Sequence, residues 1–141
     1  MSTLSSAQFA HKTRADGGAS RSLQDSSVPD QGYAVGGLIP EEKVRSKSFN
    51  AARVDAHKDT ILKSPVAGQR ATHQGSWIDP DDRKKNVTLD ASSIHATKAS
   101  ARLNGLVRGE KAIYDLNTRK DIDLPHKSRP AGTRGSKVYA S

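Results

Sequence analysis

Five histidines, fifteen carboxylates and no cysteine are the groups from which this 141-residue chain could build acid–base, nucleophilic or metal chemistry. His11, His57, His73, His95 and His126 never recur at the i, i+4 spacing that sets two imidazoles on one helix face. Asp55 and Asp59 flank His57 at two residues on either side and so do not share its face. That trio reads as a solvated helix surface. Asp79, Asp81 and Asp82 crowd one turn, but a calcium loop needs spaced oxygens around a tight glycine turn and a later bidentate Glu. Arg83, Lys84 and Lys85 neutralise the cluster. The glycines of Gly105-Leu106-Val107-Arg108-Gly109-Glu110-Lys111 lie late in or after a helix, whereas a phosphate cradle needs them before a helix N-terminus. Without a thiol or a Gly-x-Ser-x-Gly elbow, covalent hydrolysis has no candidate nucleophile. No catalytic, cofactor or metal-ligating residue is assigned, and no enzyme or small-molecule substrate is expected.

What remains is charge. Lys and Arg number 23 against 15 Asp and Glu, a net charge of +8. The excess is uneven: residues 1–32 balance, while residues 125–141 hold four cations and no carboxylate. Lys127, Arg129, Arg134 and Lys137, with Tyr139, are the candidate partner-contact residues. Base-specific readout wants several aromatics interleaved for stacking, and Tyr139 alone supplies one. The tail is therefore expected to grip an acidic protein groove or to touch DNA nonspecifically. Pro130, Val138 and Tyr139 interrupt the cations and favour the protein groove.

Apolar residues are 33% and aromatics 4% of the chain, too few for a core that includes every residue. Residues 1–31 show no period and read as an extended N-terminal arm. Tyr33 to Ile39 reads as a strand with a glycine bend, closed by Pro40. Ser48 could cap a helix from Phe49 to Lys63 with Val54, Ile61 and Leu62 on one face. Residues 75–79 and 86–90 form a hairpin around a charged turn, with Trp77, Val87 and Leu89 facing inward. Ala99, Leu103, Leu106 and Val107 repeat at helical spacing, with Gly109 as the stop, and predict a second helix buried along that stripe. Ala112–Leu116 and Asp121–Leu124 read as strands, and Pro125 ends the fold.

The expected fold is α+β over residues 32–124: a small, mainly antiparallel sheet with two helices, flanked by extended irregular arms at 1–31 and 125–141. No apolar window reaches the length of a membrane span, and the N-terminus lacks a secretory run.

The segments Gly75-Ser76-Trp77-Ile78-Asp79-Pro80, Val87-Thr88-Leu89-Asp90-Ala91-Ser92 and Ala112-Ile113-Tyr114-Asp115-Leu116, with a helix carrying Ala99 between the last two, resemble a small module of actinobacterial phage and phage-derived proteins. Gly32-Tyr33-Ala34-Val35 is similar to its opening strand. The resemblance implies a virion setting and no established enzymatic activity. Read as residues alone, Trp77, Leu89, Ile113 and Tyr114 are core side chains. The function expected is that of a non-enzymatic phage structural protein: a capsid-associated minor, decoration or cement protein. It would be assembled in the host cytoplasm and would dock on capsid or connector subunits with its tails as clamps. The alternative is a basic accessory protein that binds nucleic acid nonspecifically.

Overall fold

A computed structural model describes residues 2–65 and 67–125. Ser5 opens helix α1 (Ser6–Asp16) with a capping box: its hydroxyl accepts from the Gln8 amide, and the Gln8 side chain accepts from the Ser5 amide. Gly17, at φ 85, ends the helix and turns the chain into strand β1 (Gly18–Ser22). The first 31 residues are therefore not the irregular arm expected of them. Phe9 explains why: it is fully buried against Val54, Val87 and Leu89, and Arg21 stacks over its ring. A single aromatic anchored α1 where the surrounding polar composition gave no periodic signal.

Strands β2 (Tyr33–Val35) and β3 (Glu42–Val44) follow, then helix α2 (Ala51–Lys63) and the one-turn α3 (Ala67–Arg70). The α2 cap is Asn50, whose side chain accepts from the Arg53 amide at 3.0 Å, rather than Ser48. Next come β4 (His73–Ile78), β5 (Val87–His95), helix α4 (Lys98–Val107), β6 (Ala112–Asp115) and β7 (Lys120–Asp123). The seven strands make one antiparallel sheet in the order β1-β4-β5-β2-β6-β7, with β3 also paired to β5. This is the α+β class expected, with more helix and a larger sheet.

β5 organises the sheet. One of its edges pairs with β4 along six residues; the other pairs with β3 at Val87–Leu89 and with β2 at Ser93–His95. Asp90 falls in the gap between those two partners. Side chains alternate across a sheet, so Val87, Leu89 and Ala91 share a face with Val44, Ser76 and Val35. That face receives α1, α2 and α4. The β4–β5 register pairs Trp77 with Thr88, which sends Trp77 to the opposite face from Leu89. The expected inward Trp77 is thus only half-buried, and so is Tyr114, while Leu89 and Ile113 are core as expected.

A buried polar chain stitches the helices to the sheet. Arg21 Nε donates to Gln74 Oε1 at 3.0 Å, and Gln74 Nε2 reaches Val54 O at 3.0 Å and His57 Nδ1 at 2.9 Å. His57, expected on a solvated surface, is 1% exposed, and burial pushes its imidazole down to about 4. Thr13 Oγ1 pairs with Ser76 Oγ at 2.7 Å beside it. The Asp79–Asp82 turn is satisfied by its own amides, which donate to Asp79 and Asp82.

Candidate functional site

Helix α4 starts at Thr97, whose hydroxyl accepts from the Ser100 amide at 3.2 Å. Its inner face is made by two small residues one turn apart, Ala101 and Gly105, seated on Val35, Ile113 and Leu124. A Cβ at Gly105 would lie 2.5 Å from Leu124 Cδ1 and 3.0 Å from Ile113 Cγ2. The helix therefore lies close to the sheet because nothing larger separates them.

That seating turns the apolar stripe outward. Ala99 is exposed, Leu103 is 64% exposed, Leu106 43% and Val107 79%. The stripe expected to be buried faces solvent, which corrects the reading of the second helix. Its period was legible, but the direction was not. The signal that settles direction is the small pair Ala101 and Gly105 at i, i+4, which lets the helix backbone come close to the sheet. The outward face is also basic: Lys98 and Arg102 border it, and no carboxylate occurs between Asp90 and Glu110.

A polar lock fixes the helix at this angle. Arg108 Nη1 donates to the carbonyls of Val35 and Gly36 at 2.8 and 3.1 Å, and Nη2 donates to Ser93 Oγ at 2.8 Å. Ser93 Oγ lies 2.7 Å from His95 Nε2, and His95 Nδ1 lies 3.0 Å from Ser100 Oγ. Every link is satisfied when Ser93 donates to a neutral His95, which in turn donates to Ser100. Burial, and then the Arg108 charge, lower the His95 imidazole and favour that neutral form.

Behind the lock, Asp90 and Glu110 converge under Gly36 and Gly37. A Cβ on Gly36 would overlap Asp90 Oδ2 and sit 3.1 Å from Glu110 Oε1; Gly37 takes φ +86 to pass Glu110. Asp90 Oδ1 accepts from the amides of Ala91 at 2.8 Å and Gly37 at 3.4 Å, while Oδ2 is buried without a partner. Burial pushes Asp90 up to about 7, against the pull of those amides, with Glu41 adding to the rise and Arg108 opposing it. Asp90 bonds these amides from mid-strand and in the interior.

No group of three or more His, Asp or Glu able to hold a metal occurs among the described residues. Among them no helix is long and apolar enough to cross a membrane. Lys127, Arg129, Arg134, Lys137 and Tyr139, assigned to partner contact from the sequence, lie outside the described residues. The last described stretch runs beside α4, where Leu124 packs on Gly105 and its amide donates to Lys111 O at 2.7 Å. No protein family, curated protein or solved structure matches the chain.

Proposed function

We propose that the chain is a non-enzymatic structural protein of a phage particle, one that docks on a larger capsid or connector subunit through α4 and its basic tail. The observation that carries the docking is the outward stripe of Leu103, Leu106 and Val107. A contiguous apolar helix face exposed to water is costly and marks a surface that a partner covers. The partner's chemistry follows from the surround: Lys98 and Arg102 border the stripe and the sequence beyond Pro125 adds four cations and no carboxylate, so the partner presents an apolar groove rimmed with acidic side chains. The resemblance of the Trp77 and Leu89 strands to a phage module supplies the virion setting. The alternative, nonspecific nucleic-acid binding, draws on the same cations but leaves the apolar stripe without a role.

The test places a photo-crosslinking residue at Leu103 and, separately, at the exposed Lys84 on the β4–β5 turn, during phage assembly. Crosslinks from position 103 and not from 84 to one capsid or connector subunit are expected. Crosslinks only to DNA, to lipid or to a second copy of the chain overturn the reading.

A further inference from the structure

The sheet face opposite the helices holds a groove of about 490 Å³, within the range of small-ligand sites of roughly 300–1,000 Å³. Its floor is built from small residues on four adjacent strands: Ser20, Gly75, Ser92 and Ala34. Trp77 forms one lip and Tyr114 the other. The end of α1 brings Lys12 and Asp16 to the rim, and the β6–β7 hairpin brings Arg119 and Asp121.

Gly75 sits in the interior of a strand paired on both sides, where glycine weakens a sheet and often marks a close approach by a ligand or another backbone. No backbone makes that approach: a Cβ at Gly75 would meet nothing nearer than the flanking carbonyls of Ala19 and Asp90, each at 4.0 Å. The space above it is open.

The rim selects among ligands. Lys12 and Asp16 pair at 2.7 Å, and Arg119 and Asp121 both line the groove, so positive and negative charge balance there. A polyanion gains little from such a rim despite the net charge of +8. Two half-buried aromatic faces, floor hydroxyls and paired charges suit a ring with apolar faces and polar edges. Arg119 holds φ 61, a left-handed conformation disfavoured outside glycine and clustered at functional sites, and its amide donates to Asp115 O at 2.7 Å to fix the lip.

We propose that this groove binds a short neutral oligosaccharide, with Trp77 and Tyr114 stacking on its rings and Ser20, Ser92, Arg119 and Asp121 holding its hydroxyls. The site is separate from α4 and independent of the docking reading.

Trp77 is the sole tryptophan, so its fluorescence reports on the groove directly. Maltotriose, cellotriose, chitotriose and mannotriose are titrated against the full chain, with oligothymidylate as the polyanionic comparison. At least one trisaccharide is expected to shift the Trp77 emission with a millimolar or tighter Kd, and oligothymidylate is not. Gly75→Val fills the floor where a side chain meets no obstacle; it should keep the native circular dichroism and abolish binding. Tyr114→Ala should weaken binding about tenfold through the lost stacking contact, and it carries the test should the Gly75 variant not fold. Silence of all four trisaccharides, binding that persists in both variants, or a shift produced by oligothymidylate alone overturns the proposal.

Discussion

Asp90 is the residue whose chemistry departs furthest from its ordinary behaviour, and its consequence is a pH-dependent stability. In the unfolded chain it titrates near 3.8; folded, burial between β2 and β3 pushes it up to about 7. At pH below the unfolded value it is neutral in both states. As pH rises between the two, the unfolded chain releases a proton that the folded chain keeps, so stability falls, and the loss is complete above about 7. His57 works in the opposite sense: lowered from 6.5 to about 4, it favours folding increasingly as pH rises through that window and is constant above it. Asp121, raised to about 6 by burial and then by Asp123, adds a smaller fall that is finished sooner. Only at about pH 7 and just above, where the His57 and Asp121 contributions have levelled off, is Asp90 the one of these three still titrating; between pH 6 and 7 the His57 rise offsets part of its fall. Asp90→Asn keeps an acceptor for the Ala91 and Gly37 amides and removes the titration. The variant is expected to be more stable than the parent at and above neutral pH, with the parent's decline from pH 6 to 8 flattened. Denaturant unfolding across that range measures it, and an unchanged slope would place the titration elsewhere.

At the level of elements, α1 and the sheet faces carry the clearest contrast between sequence and structure. Phe9→Ala is expected to cost about 3–5 kcal/mol, because a fully buried ring leaves a cavity between α1, α2 and β5. Trp77→Ala, on the half-buried opposite face, is expected to cost only about 1–2 kcal/mol. Thermal or urea unfolding of both variants checks the order; a reversed order would mean that the N-terminal residues do not belong to the core. The hairpin of β4 and β5 and the strands β6 and β7 were legible because alternation and turn chemistry act locally. The position of α1 was not, since its single buried aromatic is one contact in a polar helix. The orientation of α4 was hidden for a different reason. Periodicity identifies an apolar stripe but not whether the stripe meets its own sheet or another molecule, and here Ala101 and Gly105 took the inner face. The Ser93–His95–Ser100–Arg108 lock was equally hidden, because β5 continues through Ser93 and His95, beyond the strand end expected at residue 90, and Arg108 arrives from a helix away.

For the whole molecule, the sheet separates two surfaces. One side of the sheet carries the helices and, at α4, an apolar and basic face whose seating is fixed by Arg108 and the Gly105 contact. The other side carries the Trp77–Tyr114 groove. The central claim is that α4 joins the chain to a phage particle. The most direct test measures, by mass spectrometry, the amount of this protein in purified particles assembled with the parent chain or with a Leu103→Gln, Val107→Gln double variant. Both residues are largely exposed, so the variant should unfold within about 0.5 kcal/mol of the parent. A fixed copy number per particle is expected for the parent, and at least a tenfold loss for the folded variant. Particles that lack the parent protein, or that take up both chains equally, would contradict it.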